Sequence, residues 1–146
     1  MKDIKRNTEH TSFFLLILRR IIEESLNELM VLRNECEIHD LLKYRFMSYG
    51  IPTQTRITLT SDEFPSLEID LLCENKIAIE VKLDANFYDG FAQALSMREF
   101  YGLNALVIHI FRKPINSKII RGISKLSKLL NIPAIIVDIK NGKIVM

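Results

Sequence analysis

Only two cysteines, Cys36 and Cys73, occur in the 146 residues. One stands in a helical pattern and one in a strand pattern, with no C-x-x-C spacing and no histidine cluster beside either. This argues against a disulfide framework or a zinc site, and for a reduced, cytoplasmic chain with packing cysteines. An excess of one charge is also lacking. A formal net charge of +2 creates no overall field for a polyanion, so a nucleic-acid partner has to be met by a local patch. Long apolar runs are missing too. Phe13 to Leu18 is closed at once by Arg19 and Arg20, lacks a small-residue cleavage site and is too short to span a bilayer. No targeting segment, no membrane association, no repeat and no low-complexity tract is therefore expected. What is there is ordinary globular composition, 48% hydrophobic and 26% charged, in a length that suits a single domain over residues 1–146.

Apolar periodicity divides that domain into elements. Apolar residues recurring at three and four positions from about Thr11 to Leu32, with no Gly or Pro between, predict an additional N-terminal helix within residues 11–33. Leu15, Leu18, Ile22, Leu29 and Leu32 fall on one heptad seam, with Ser25 as its polar member. That seam is more apolar than one domain face requires. A homodimer through this helix is accordingly expected, with packing across a sheet as the plainer use. A second helix, Glu35 to Tyr49, buries Ile38, Leu41, Leu42 and Phe46 and stops at Gly50 with Pro52 beyond.

Thr53 to Thr60 reads as a strand and Ser61 to Pro65 as an acidic loop. Two further strands lie between Ser66 and Leu83. Next comes a helix from about Phe87 to Tyr101, capped by Asn86 with Asp89 in capping-box position. The continuous apolar run Ala105–Phe111 suits a central strand covered on both faces. A helix Ser117–Leu130, a strand Ala134–Ile139 and a short partner Lys143–Met146 complete the chain. This order predicts an α/β fold with a mixed central β-sheet flanked by helices.

The chemistry-bearing stretch is Ser66 to Leu83. Leu67, Ile69 and Leu71 alternate with Glu68 and Asp70; after Glu74-Asn75-Lys76, the residues Ile77, Ile79, Val81 and Leu83 alternate with Ala78, Glu80 and Lys82. A three-residue loop, Glu74 to Lys76, sets Asp70 opposite Glu80 and Glu68 opposite Lys82, with Asn75 or Lys76 near the left-handed region. Two adjacent carboxylates repel unless a cation lies between them. Hard oxygen donors of this kind suit Mg²⁺ or Mn²⁺. Lys82, two residues beyond Glu80, projects the same way and can hold an attacking water or meet phosphate charge. The rival reading is an open, solvated sheet face on which Asp70 pairs with Lys82.

Asp70, nine residues and then Glu80-Val81-Lys82 resemble the PD-(D/E)xK nuclease superfamily, whose restriction-endonuclease-like fold includes archaeal Holliday junction resolvases. One position departs from the pattern, since Ile69 and not proline precedes Asp70. The resemblance covers most of the chain, from about Glu35 to Asp138. It implies a restriction-endonuclease-like core in the order αβββαβ behind the N-terminal helix, and a Mg²⁺- (or Mn²⁺-) dependent hydrolysis of phosphodiester bonds in DNA. It also implies roles: Asp70, Glu80 and the carbonyl of Val81 hold the metal and Lys82 positions the water. Gln93 supports them from the following helix, and Glu37, or Glu35 in its place, from the preceding one. The alternative is a catalytically silent nucleic-acid-binding or assembly protein on the same fold. Intact Asp70, Glu80 and Lys82 weigh against it.

Lys118, Arg121, Lys125 and Lys128 recur at three and four on the helix Ser117–Leu130 and form a basic ridge. With Arg98 they are the candidates for DNA phosphate contact, against the alternative of a solvated helix face. His39 reads as a structural or surface residue, because nothing nearby orients it for catalysis, and His109, within the run Ala105–Phe111, reads as a hydrogen-bonded core histidine.

Overall fold

Period decides the layers: alternate residues of a strand face opposite ways, and every third or fourth residue of a helix faces the same way. The computed structural model describes the backbone of residues 2–146 and side chains from Ser12 onward. Among these residues the helices are α1 (Lys2–Leu29), α2 (Glu35–Ser48), α3 (Phe91–Tyr101) and α4 (Ser117–Leu130). The strands are β1 (Thr53–Leu59), β2 (Leu67–Cys73), β3 (Ile77–Leu83), β4 (Asn104–Phe111), β5 (Ala134–Asp138) and β6 (Lys143–Ile144). They form one mixed six-stranded sheet in sequence order. β1, β2 and β3 run as an antiparallel meander, β3, β4 and β5 are parallel, and β6 returns antiparallel to β5. The α/β class and mixed sheet expected from the sequence are what the chain adopts.

Ile77, Ile79 and Val81 of β3 face a layer made by α1 and α2, with Leu18, Ile22, Ile38, Leu42 and Phe46. Ala78 faces the opposite layer, with Phe91, Ala94 and Met97 of α3 and Ile123 of α4. Both crossovers, β3-α3-β4 and β4-α4-β5, lie on this second face, as right-handed connections between successive parallel strands require. No described helix is long and apolar enough to cross a membrane.

Two expectations change here. The seam of α1 is not an exposed stripe: Leu18, Ile22 and Leu29 are buried in the chain's own core, Leu15 packs against it, and Ser25 is buried with its hydroxyl donating to the Ile21 carbonyl at 2.7 Å. The seam covers the sheet, so the ground for a homodimer through Leu15, Leu18, Ile22 and Leu29 falls. Second, α3 begins at Phe91 and not Phe87. The Asn86 N–H does donate to the Asp89 carboxylate at 3.0 Å, but that bond closes a turn ahead of the helix. Gly90 then interrupts the chain at φ 87, in the left-handed region.

Gly90 is also a point of close approach, since a Cβ there would lie 2.8 Å from Val107 Cγ1 and 3.3 Å from Lys82 Cγ. Gly102, at φ 68, has nothing within 4 Å of such a Cβ. Gly90→Ala therefore combines a left-handed penalty with overpacking and is expected to lower unfolding stability by about 2–4 kcal/mol, whereas Gly102→Ala costs only about 1–2 kcal/mol. Chemical denaturation of the two variants checks this; equal losses would show that the close approach at Gly90 contributes nothing.

Candidate functional site

The β2–β3 hairpin turns at Glu74 and Asn75, both left-handed at φ 54 and 56, and the Lys76 N–H donates to the Cys73 carbonyl at 3.0 Å. Cys73 faces Ile77 and Leu71 faces Ile79, so the loop has the expected three residues and the register, continued, carries Asp70 across from Glu80. The ladder stops there. Glu68 is exposed and has no place opposite Lys82, because β2 leaves β3 after Leu71 while β3 continues to Leu83 beside β4. The departure coincides with a kink. Arg56 of β1 lies in the left-handed region at φ 51, in the gap between the pairs Thr55–Leu71 and Ile57–Ile69. Leu71 packs in the α1/α2 layer, yet Ile69 and Ile57 pack in the other layer. A non-glycine residue with positive φ inside a strand marks strain, and such outliers collect at functional sites.

Where β2 departs, β3 has an open edge. Amide and carbonyl of one strand residue point to the same side, and successive residues alternate. Lys76 bonds toward β4, through its carbonyl to the Asn104 N–H at 3.0 Å, so Ile79, Val81 and Leu83 face the β2 side. Side chains take over there. The Val81 N–H donates to Asp70 Oδ2 at 2.8 Å, and the Leu83 N–H donates to Glu35 Oε1 at 3.1 Å. By the same geometry the Val81 carbonyl faces the cleft.

Glu80 is 3% exposed and its Oε1 has no hydrogen-bond partner; Oε2 lies 3.9 Å from Lys82 Nζ, an ion-pair distance. Burial first, and the Asp70 carboxylate second, push the Glu80 carboxyl up to about 9. Burial also opposes ionisation of Asp70, but the contact with His39 and the Val81 N–H outweigh it and hold that carboxyl below its ordinary value. His39, buried on α2, brings Nε2 to 3.6 Å from Asp70 Oδ2, and neither ring nitrogen has a hydrogen bond. The cleft thus holds two carboxylates, a carbonyl, an imidazole and one ammonium. Asp70, Glu80 and the Val81 carbonyl are hard donors, and the unsatisfied Glu80 oxygen fits a divalent cation. Among the described residues no three His, Cys, Asp or Glu side chains cluster as a metal-binding group. A cation here takes few protein ligands and keeps water, as Mg²⁺ commonly does.

Glu35, and not Glu37, reaches β3. Glu37 is used locally, its N–H donating to Asn34 Oδ1 at 3.0 Å and its carboxylate accepting from the Arg33 N–H at 2.7 Å. Gln93 is exposed on the first turn of α3, and no hydrogen bond joins it to Asp70, Glu80 or Lys82. Arg98 is occupied at the end of α4: Nη1 donates to the carbonyls of Leu130 at 2.6 Å and Asn131 at 3.0 Å, and Nε pairs with Glu99. Lys118, Arg121, Lys125 and Lys128 are exposed, as a ridge requires. His109 is a core residue with Nε2 2.9 Å from the Asp89 carbonyl; burial lowers its pKa and favours the neutral ring. His39 is the residue that sequence reasoning set aside. Its signal was spacing, for Glu35, His39, Leu42 and Phe46 follow one α2 stripe.

A carboxyl raised on folding keeps its proton in the native state while the unfolded chain releases it, so stability falls as pH rises from the unfolded value toward 9. In a chelator, Glu80→Gln is expected to melt higher than the parent, by up to about 3 kcal/mol near neutral pH, with a gap that grows from pH 5 to pH 8. Melting curves across that range check the sign; a parent more stable than the variant at pH 8 contradicts it.

No family model, no characterised protein and no solved structure matches the chain, so its chemistry is read from its own side chains.

Proposed function

We propose that the chain is a metal-dependent nuclease hydrolysing phosphodiester bonds in DNA, built on a core of the restriction-endonuclease-like type. The observation that carries this reading is the meeting of Asp70, Glu80 and Lys82 where β2 parts from β3, with Glu80 buried and one of its oxygens unsatisfied. A solvated sheet face would leave Glu80 in water. A buried carboxyl either keeps its proton or needs a cation to ionise, and one of its oxygens here is left without a partner, so such a residue points to a ligand that completes it.

In this reading Asp70, Glu80 and the Val81 carbonyl hold Mg²⁺ or Mn²⁺, which supplies Lewis-acid polarisation and a water of lowered pKa. Asp70 stays ionised and is kept in place by the Val81 N–H and His39. Glu80 gives up its proton when it ligates, so metal uptake releases a proton below about pH 9. Lys82 faces the same cleft with its stem against Gly90, where its ammonium orients the attacking water and offsets charge on the phosphate. Glu35 holds the end of β3 through the Leu83 N–H and so fixes the carbonyl of Val81. Phosphates flanking the cut meet the ridge Lys118, Arg121, Lys125 and Lys128; Arg98 is otherwise engaged.

Single substitutions separate these roles. Asp70→Asn is expected to lose Mg²⁺ binding and cleavage together, whereas Lys82→Ala keeps the metal and loses turnover by roughly 100-fold or more. Titration calorimetry with Mg²⁺ and cleavage of end-labelled DNA measure the two; full activity in Lys82→Ala sinks the proposal. Neutralising Lys118 and Arg121 together should weaken DNA binding for all sequences and reduce the salt slope by about 2. An unchanged slope returns the ridge to solvent.

A further inference from the structure

The loop between β3 and α3, residues 84–90, carries two aromatic side chains whose rings stay substantially exposed. Phe87 is 40% exposed and Tyr88 is 55% exposed, and their rings meet edge to face with centroids 5.2 Å apart. The loop starts beside the Leu83 N–H that Glu35 holds and ends at Gly90 against the stem of Lys82. It is tied down at both ends. The Asp84 carboxylate accepts from the N–H groups of Arg112 at 2.8 Å and Lys113 at 3.2 Å, and the Asp89 carbonyl lies 2.9 Å from His109 Nε2.

In the middle, Phe87 is seated on α4 at Gly122, where a Cβ would come within 2.8 Å of Phe87 Cδ2. Phe87 is therefore fixed from below and Tyr88 stands out beside it. Lys118, one turn before Gly122 on the same helix face, and Lys113, whose N–H meets Asp84 at the start of the loop, are both exposed, so cationic residues stand at the loop's start and on the helix face that seats Phe87. Rigid ring faces rimmed by cations match a nucleic-acid strand with free bases: the cations take phosphates and the rings take base faces. A continuous duplex offers base edges in its grooves and keeps base faces stacked on one another.

Resting on the nuclease reading, we propose that Phe87 and Tyr88 form a stacking platform for an unpaired base next to the scissile phosphate. The substrate class is then DNA with unpaired nucleotides at the cut, such as a single strand, a frayed end or a flap. Tyr88 is the ring to test, because it is the more exposed and its removal leaves the Phe87–Gly122 seat intact.

Binding is measured in chelator by fluorescence anisotropy with a labelled single-stranded oligonucleotide and with the blunt duplex of the same sequence, so that no cleavage is needed. The parent is expected to prefer the single strand. Tyr88→Ala should lose roughly 5- to 100-fold on the single strand and under about 2-fold on the duplex, while Tyr88→Phe keeps the parent's affinities, as expected for stacking. A 2-aminopurine base in the oligonucleotide should be quenched by the parent and by Tyr88→Phe but not by Tyr88→Ala. No binding of the single strand by the parent, no loss in Tyr88→Ala, or equal loss on both DNAs overturns the proposal. Loss of Mg²⁺-dependent cleavage in Lys82→Ala is scored separately, so the platform can fail while the nuclease reading stands, and the reverse.

Discussion

An inner strand of a sheet cannot leave its amides unpaired, and the site exists because β3 loses a neighbour halfway along its length. After the Leu71–Ile79 pair β2 turns away, yet the Val81 and Leu83 amides remain directed to that side. A buried N–H without a partner costs on the order of 1–3 kcal/mol, and here two carboxylates, Asp70 and Glu35, replace the missing strand. One geometric event thus opens an edge, draws acids to it and turns the Val81 carbonyl into the gap. The left-handed Arg56 in β1, opposite Asp70, is the local strain that accompanies it.

Charge balance follows from that edge. Glu80 shares its face of β3 with Ala78 and is in register with buried Val107, so water does not solvate it. Lys82, at 3.9 Å, is one positive charge against two carboxylates. His109, in register with Lys82, is disfavoured from adding a second by its own burial. His39 contacts Asp70 at 3.6 Å, but one oxygen of Glu80 is left short of a partner, and a proton on Glu80 or a cation between the acids completes it. The same deficit makes the residue a cost to folding and a ligand for metal, a conflict typical of functional sites.

The periphery is organised by helix starts. Parallel β3 and β4 end on the side of the cleft, so the residues leading into α3 and α4 come to that side as well. This places Gly90 against Lys82, Phe87 against Gly122 and Lys118 one turn away. Two crossovers on one face therefore bring rings and cations to the same rim as the acids.

Much of this is legible in the chain itself. Alternation in Ile77–Leu83, the apolar run Ala105–Phe111 and the stop at Gly50 define strands and helices, because period and punctuation are local properties. The three-residue turn at Glu74–Lys76 is legible too, and it alone determines that Asp70 meets Glu80. Which acid of α2 reaches the sheet was not, since Asn34 captures Glu37 into the cap and leaves Glu35 on the inward stripe with His39. The seam of α1 looked like an interface because sequence counts apolar residues without saying which surface covers them; the sheet does. Arg98 went to the carbonyls ending α4, a partner 32 and 33 residues away. Composition and period are carried by neighbours in sequence, so the sequence by itself determined the elements, their order and the acid pair. Partners remote along the chain are chosen only when layers close, and so the tertiary structure alone decided the kink at Arg56, the glycine under Lys82 and the histidine beside Asp70.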